Sequence, residues 1–114
     1  MKFGIFYEHQ IPRPWDERSE ERTLNESLDQ IELADKLGFD HAWVVEHHFL
    51  EEYSHSSCPD MFLTALARET KHIRLGFGIG TCVPEMHSPI RWAEKAAFLD
   101  ILSNGRVEFG TGRS

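Results

Sequence analysis

Four short apolar segments recur along the chain, and the stretches between them carry helical periodicity. The segments KFGIFY, HAWVV, IRLGFGIG and RVEFG begin near residues 2, 42, 73 and 106. They are continuously apolar rather than alternating, as strands are when both faces of a sheet are covered. The order β-α-β-α-β-α-β therefore predicts an α/β fold, with a parallel sheet and helical crossovers. An open doubly wound sheet and a (β/α) barrel both satisfy this pattern.

The three predicted helices have recognisable ends. Thr23 and Glu26 have the spacing of a capping box, which predicts that the first helix begins there. Pro59 and Pro89 suit the first turns of the second and third helices, and Gly38 is placed to end the first. The apolar residues that recur at helical intervals are expected to face the sheet: Leu24, Leu28, Ile31, Ala34, Leu37, Phe62, Leu63, Leu66, Ala67, Ile90, Ala93, Ala97 and Ile101.

Polar residues collect where the predicted strands end. In parallel α/β folds the carboxyl ends of the strands lie on one face, and ligands bind at that face. The opposite strand ends carry mostly turn residues, as in LGFD and SNGR. We therefore expect a functional site among the residues that follow the strands: Glu8, His9, Glu46, His47, His48, Gly80, Thr81, Gly112, Arg113 and Ser114.

The segment WVVEHHF ends a strand with one carboxylate and two imidazoles. Imidazole titrates near neutral pH, which suits proton transfer or the stabilisation of an anionic intermediate. Such groups also serve at strand ends simply to bind loop backbone atoms. The residues alone leave both roles open for Glu46, His47 and His48.

The chain has seven histidines, so a metal site has to be considered. His47 and His48 are adjacent and would point to opposite sides of a strand, and the chain contains no HExxH motif. A zinc site would have to join Glu46 or His47 to a histidine from elsewhere in the chain: His9, His55 or His87. Because no spacing demands such a site, we expect no metal centre.

Two further segments suggest contacts with a ligand. Gly76, Gly78 and Gly80 alternate within GFGIG, and their GxGxG spacing is a poor dinucleotide fingerprint. Glycines in a strand indicate either close backbone packing or a flat ligand ring lying against bare backbone. Arg113, in FGTGRS, carries donors suited to phosphate, although an exposed arginine without a ligand is an equally simple interpretation.

Composition narrows the class of protein. The 114 residues suffice for one domain with a modest core, and the net charge of −7 argues against a broad nucleic-acid surface. Cys58 and Cys82 form no CxxC pattern, and we expect reduced thiols. The N-terminus lacks a signal-peptide pattern, and no apolar run approaches the roughly 20 residues that span a bilayer. We therefore expect a soluble, cytoplasmic protein with no membrane segment.

Four segments carry a resemblance to a known family: MKFGIF, ELADKLGFDHAWVVEHHF, IRLGFGIG and AEKAAFLDILSNGRVEFGTGRS. In this order they resemble the N-terminal part of bacterial luciferase-like flavin monooxygenases. The EHHF block and the LD-x-LS-x-GR-x-x-x-G-x-GR block are the most specific. The family fold is a TIM barrel, so the resemblance implies that residues 1–114 form the N-terminal half of a (β/α)8 barrel, with about four strands and three helices. A complete barrel needs eight strands, and the open edges of four would favour self-association.

The resemblance also implies roles for individual residues. His47 matches the active-site histidine of the family, associated with proton transfer and with stabilising the flavin peroxide, and His48 matches a second histidine near the site. Gly78-Ile79 falls where such proteins often carry a non-prolyl cis peptide behind the flavin ring. Arg113 matches an arginine that contacts the flavin phosphate. The chain has His87-Ser88-Pro89 where many members have His-Pro, which leaves the role of His87 open.

The reaction implied by the resemblance uses reduced FMN, supplied by a separate flavin reductase, and molecular oxygen to oxidise a small organic substrate such as an aldehyde. A homo- or hetero-oligomer is expected. Two alternatives stay open. One is a deazaflavin-dependent dehydrogenase of the same superfamily, which transfers hydride without oxygen. The other is a non-catalytic half-barrel that dimerises or serves as a partner subunit.

Overall fold

The structure is a computed structural model that describes residues 1–113. Within that range the strands and helices follow the predicted order: β1 (Gly4–Tyr7), α1 (Ser19–Leu37), β2 (His41–Val44), α2 (Pro59–Glu69), β3 (Arg74–Thr81), α3 (Pro89–Leu102) and β4 (Val107–Gly112). None of the helices in this part of the chain has both the length and the apolar composition that a membrane crossing requires.

The four strands form one parallel sheet in the order β1-β2-β3-β4. Strands that are neighbours in sequence are also neighbours in space, and the register aligns Ile5, Ala42, Leu75 and Val107. In a doubly wound sheet the strand order reverses at a switch point, whereas the order over residues 1–113 is sequential. Right-handed crossovers between sequential strands place their helices on the same face, which favours the barrel over the open sheet.

The core lies between this face of the sheet and the three helices. Leu75 and Phe77 from β3 are fully buried there, together with Leu63 and Leu66 from α2. The inward positions predicted for α2 are therefore confirmed. Because successive residues of a strand point to opposite faces, Gly76 lies on the other side of the sheet, which we call the helix-free face.

The predicted ends of the helices are mostly confirmed, with one correction. Helices α2 and α3 begin at Pro59 and Pro89, and Gly38 follows α1 with a left-handed φ of 84°. The capping-box prediction is wrong, because α1 begins at Ser19 and Thr23 lies one turn inside it. Asp16 explains the earlier start.

Asp16 organises the first turn of α1. Its backbone carbonyl accepts the backbone N–H of Ser19 at 3.2 Å, and its own N–H donates to the Ser19 hydroxyl at 2.9 Å. Its carboxylate also accepts a hydrogen bond from Arg22 at 2.9 Å. These bonds satisfy polar groups in the first turn of α1, where a capping residue would otherwise be needed.

The face that α3 turns toward the sheet also differs from the prediction. The predicted positions are exposed, with Ile90 and Ile101 at 74% and 75% exposure, whereas Trp92 and Leu99 are buried. The Trp92 ring lies 5.2 Å from that of Phe77, and its Nε1–H donates to the backbone carbonyl of Thr81 at 2.8 Å. A buried indole that also satisfies its N–H stabilises this orientation more than an aliphatic stripe does.

At the amino-terminal ends of the strands, opposite the expected site, polar groups have a structural role. Asp35, near the end of α1, accepts three backbone N–H bonds at 2.6–2.8 Å. Their donors precede β3: Lys71, His72 and Ile73. Burial alone would raise the pKa of the Asp35 carboxyl, but these three bonds outweigh it and hold that pKa below its usual value. The bonds join α1 to the start of β3.

Candidate functional site

The carboxylate of Glu46 is the centre of a hydrogen-bonded cluster just beyond the end of β2. The residue is only 4% exposed. Its Oε1 lies 2.9 Å from Nε2 of His48 and 2.6 Å from Nε2 of His87, while its Oε2 accepts the backbone N–H of Thr81 at 2.7 Å. The cluster therefore joins the ends of β2 and β3 to the loop that precedes α3.

These three hydrogen bonds set the charge of the cluster. Burial alone would raise the pKa of Glu46, but the N–H of Thr81 and the imidazoles of His48 and His87 outweigh it, so the pKa lies below its ordinary value. Glu46 is therefore a carboxylate at neutral pH. Since a carboxylate only accepts hydrogen bonds, each imidazole donates its Nε2–H to Oε1.

His47 points away from this cluster. Its Nε2 lies 3.5 Å from Oε2 of Glu8, which follows β1, and its backbone N–H donates to the carbonyl of Ser56 at 2.9 Å. The Tyr53 hydroxyl lies 3.4 Å from the other oxygen of Glu8. The prediction assumed that both histidines lie on a strand, whereas β2 ends at Val44 and both follow it. Each has a different carboxylate partner, Glu8 for His47 and Glu46 for His48.

A cavity of about 400 Å³ brings the two histidines to one surface. It is lined by Glu46, His47, His48, Phe49, Leu50, Thr81 and Met86. Phe49 is fully exposed, so its ring is available to whatever enters the cavity. Polar residues from the ends of β2 and β3 thus line this cavity, as the strand-end rule predicts.

His9 is not part of this site. It is 4% exposed and lies between aromatic rings, with its centroid 5.8 Å from Tyr7 and 4.7 Å from Phe62. Among residues 1–113 neither of its ring nitrogens has a hydrogen-bond partner. Burial lowers the pKa of His9 to about 4, so its imidazole is neutral at physiological pH.

Two of the three strand glycines are explained by close packing. A Cβ on Gly76 would overlap the ring of Trp43, and a Cβ on Gly80 would lie 3.0 Å from the ring of Trp92. Gly78 differs, because a Cβ there would meet Trp43 and Phe6 only at ordinary contact distances of 3.4–3.5 Å. Packing therefore accounts for Gly76 and Gly80 and leaves Gly78 without that explanation.

The peptide bond between Gly78 and Ile79 is cis. Both residues are half-buried at the end of β3. Arg113 is exposed and follows β4, and Ser114 lies outside the described residues. Gly78, Ile79 and Arg113 are not among the residues that line the 400 Å³ cavity.

His87 is the residue of the cluster whose place the sequence left open. It lies in the loop between β3 and α3, and its ring centroid is 5.2 Å from that of Trp92. The available signal was its position after a strand end, since loops that follow parallel strands meet at one face. Helical and strand periodicity do not extend into that loop, so they did not place His87 beside Glu46.

The residues at this end of the sheet fit a flavin in their chemistry. Glu8 Oε2 is buried without a hydrogen-bond partner among residues 1–113, and it lies beside an imidazole that can carry a proton. Phe6, 56% exposed, and the half-buried Gly78 offer apolar surface on the helix-free face. The guanidinium of Arg113 is of the type that pairs with phosphate. An apolar wall, a cation and a proton-carrying pair suit an aromatic ring system with a phosphate tail.

Comparison with known proteins gives consistent matches. The family model of luciferase-like monooxygenases matches residues 1–114. The chain is 34% identical over 113 residues to the oxygenase component of the flavin-dependent trigonelline monooxygenase of Acinetobacter baylyi, covering 99% of this chain and 30% of that protein. It is 36% identical over 114 residues to limonene 1,2-monooxygenase of Rhodococcus erythropolis, covering 98% of this chain and 27% of that one.

A solved structure gives the same result for the fold. The monooxygenase RslO1 from Streptomyces bottropensis superimposes with a TM-score of 0.86 and 41% identity, over 100% of this chain and 33% of that chain. The prediction of the TIM-barrel type of fold is thereby confirmed for the four strands and three helices described. The chain spans about a third or less of the length of these relatives.

Proposed function

The chain belongs to the family of luciferase-like monooxygenases, and we propose that it forms the N-terminal half-barrel of a flavin-dependent monooxygenase. The observation that carries the proposal is the placement of His47. Its partly exposed imidazole lies at the cavity, with Nε2 3.5 Å from Oε2 of Glu8. An imidazole held beside a carboxylate at the ligand-binding face of a parallel sheet is suited to hold and move a proton at Nε2.

Reduced FMN, when bound, supplies the electrons that activate molecular oxygen for insertion into a small organic substrate. In this proposal His47 exchanges a proton at Nε2, which lies 3.5 Å from Oε2 of Glu8. His48 acts through the Glu46 cluster, which fixes the direction of its ring. Phe49 and Leu50 at the cavity help to exclude water from the reacting groups.

We assign flavin binding to Gly78, Ile79 and Arg113. Gly78 and Ile79 would contact the ring at the end of β3, and the exposed guanidinium of Arg113 would pair with the phosphate. A separate flavin reductase is part of the proposal, which is supported by the trigonelline relative being described as an oxygenase component. We also propose that the protein is cytoplasmic. A homo- or hetero-oligomer is part of the proposal, and the exposed apolar side chains of Ile90 and Ile101 support it.

The test is a comparison of His47→Ala with the parent in the complete protein. We expect product formation with reduced FMN and oxygen to fall by about 10²–10⁴-fold, the usual contribution of a general acid or base, while reduced FMN still binds. His72→Ala removes an exposed histidine near the opposite strand ends and should leave turnover unchanged.

Unchanged turnover in His47→Ala would remove the catalytic assignment. Turnover that proceeds without oxygen and requires a deazaflavin would replace the monooxygenase by the hydride-transferring alternative. Folded protein that binds no flavin would favour the non-catalytic half-barrel or partner subunit.

A further inference from the structure

We propose that Glu46, His48 and His87 form a binding site for a divalent transition-metal ion of the zinc type. The potential ligand atoms, one from each residue, all lie within 4.8 Å of one another. The site is distinct from the pair formed by His47 and Glu8. It does not rest on the proposed monooxygenase function, because the argument uses only the chemistry and placement of these three side chains.

The distances within the cluster are close to those that a bound ion requires. Nε2 of His48 and of His87 lie 2.9 and 2.6 Å from the same oxygen of Glu46. Ligand atoms at about 2.0–2.2 Å from a tetrahedral zinc ion are separated by roughly 3.3–3.5 Å. Outward movements of less than about 1 Å would therefore make room for an ion between the two imidazole nitrogens and this carboxylate oxygen.

The convergence on one oxygen gives the cluster the right donor set. Two imidazole nitrogens and one carboxylate oxygen are the three protein ligands found in many open zinc sites. Binding requires each imidazole to present an unprotonated Nε2, and the proton moves to Nδ1 or to solvent. Imidazole ligands favour zinc and its neighbours among the transition metals over magnesium or calcium.

The support around the cluster keeps it in place. The second carboxylate oxygen of Glu46 is held by the backbone N–H of Thr81 at 2.7 Å, a contact of the kind that orients metal ligands. The side chains of His48 and His87 are 28% and 26% exposed, whereas that of Glu46 is 1% exposed. An ion would thus enter from the solvent side and keep an open position on the side away from Glu46.

Metal binding measured with the ion alone separates this site from a purely structural hydrogen-bond network. The complete protein is freed of metal with a chelator and titrated with Zn²⁺ by calorimetry, and then with Co²⁺ while its visible absorption is recorded. We expect one Zn²⁺ per chain and an absorption spectrum typical of four- or five-coordinate cobalt with nitrogen ligands.

Four substitutions test the ligand set. His48→Gln and His87→Gln should each weaken Zn²⁺ binding by at least about tenfold, since loss even of an outer-shell partner has that effect. His47→Gln and His72→Gln serve as matched controls and should keep the parent affinity. Circular dichroism of each variant confirms that the fold is retained.

The proposal is overturned if the folded parent binds no Zn²⁺ at the site, or if His47→Gln weakens binding as much as His48→Gln does. Neither result depends on oxygen or flavin. A failure here therefore leaves the proposed monooxygenase activity untouched, and a failure of that activity leaves the metal site standing.

Discussion

His9 is a buried base without a hydrogen-bond partner among residues 1–113, and it should make the stability of the protein depend on pH. Burial lowers its pKa to about 4, from an ordinary value of 6.5. The folded protein therefore binds a proton at His9 less readily than the unfolded chain does. The stability that results is fully present above pH 6.5 and is lost progressively as the pH falls toward 4.

The size of the effect follows from this difference in pKa. Each pKa unit corresponds to about 1.36 kcal/mol, so the full effect below pH 4 is about 3 kcal/mol. Between pH 7.5 and pH 5, the linkage relation gives a loss of about 2 kcal/mol from His9 alone. A loss of this size is a large part of the free energy of unfolding of a typical folded domain, which is about 5–15 kcal/mol.

Urea unfolding at several pH values measures the effect, with tryptophan fluorescence as the signal. His9→Phe keeps a ring between Tyr7 and Phe62 but removes the titration, so its free energy of unfolding should fall by about 2 kcal/mol less than that of the parent over this interval. His72→Phe replaces an exposed histidine and should retain the parent's dependence. Equal losses in the parent and His9→Phe would refute the reasoning, whatever their absolute stabilities.

Two pairs of substitutions test the packing in and around the sheet. Gly76→Ala should lower the free energy of unfolding by about 1–3 kcal/mol, because the added methyl overlaps the ring of Trp43, whereas Gly78→Ala, with only ordinary contacts, should cost less. Arg106→Met should lower the free energy of unfolding by about 3–5 kcal/mol, since the buried guanidinium donates to four backbone carbonyls. The matched substitution of an exposed arginine, Arg68→Met, should change it by less than about 0.5 kcal/mol. Equal effects within either pair, measured by urea unfolding, would contradict these assignments.

The features that the sequence predicts well are those decided by neighbouring residues. Continuous apolar runs predict the four strands, because a strand covered on both faces needs no polar alternation. Pro59 and Pro89 predict two helix starts, because proline is tolerated in the first turn and excluded from the interior. Gly38 predicts a helix end, because glycine adopts the left-handed conformation there at no steric cost.

The features that the sequence misses depend on partners that are distant along the chain. The orientation of α3 follows from Trp92, whose ring packs against those of Phe77 of β3 and Phe109 of β4. Helical periodicity cannot weigh that contact against an aliphatic stripe. The earlier start of α1 follows from Asp16, which lies outside the apolar pattern that located the helix.

The candidate site, too, has features that the sequence predicts and features that it misses. The strand-end rule places His47 and His48 at the ligand-binding face, although both lie beyond Val44, the last residue of β2. It does not reveal that His87 shares an oxygen of Glu46 with His48, because the loop after β3 has no periodic pattern. The partner of each histidine becomes visible only when the strand ends and loops are assembled.

The most direct test of the central claim is an anaerobic titration of the complete protein with reduced FMN, compared with a reduced deazaflavin. We expect saturable binding of reduced FMN at one site per chain. Reduced FMN should bind at least about tenfold more tightly than the deazaflavin, a difference in binding free energy of about 1.4 kcal/mol. Arg113→Ala should weaken binding of reduced FMN, because the pairing of guanidinium with phosphate is lost. Folded protein that binds no reduced FMN, or that prefers the deazaflavin, would contradict the account.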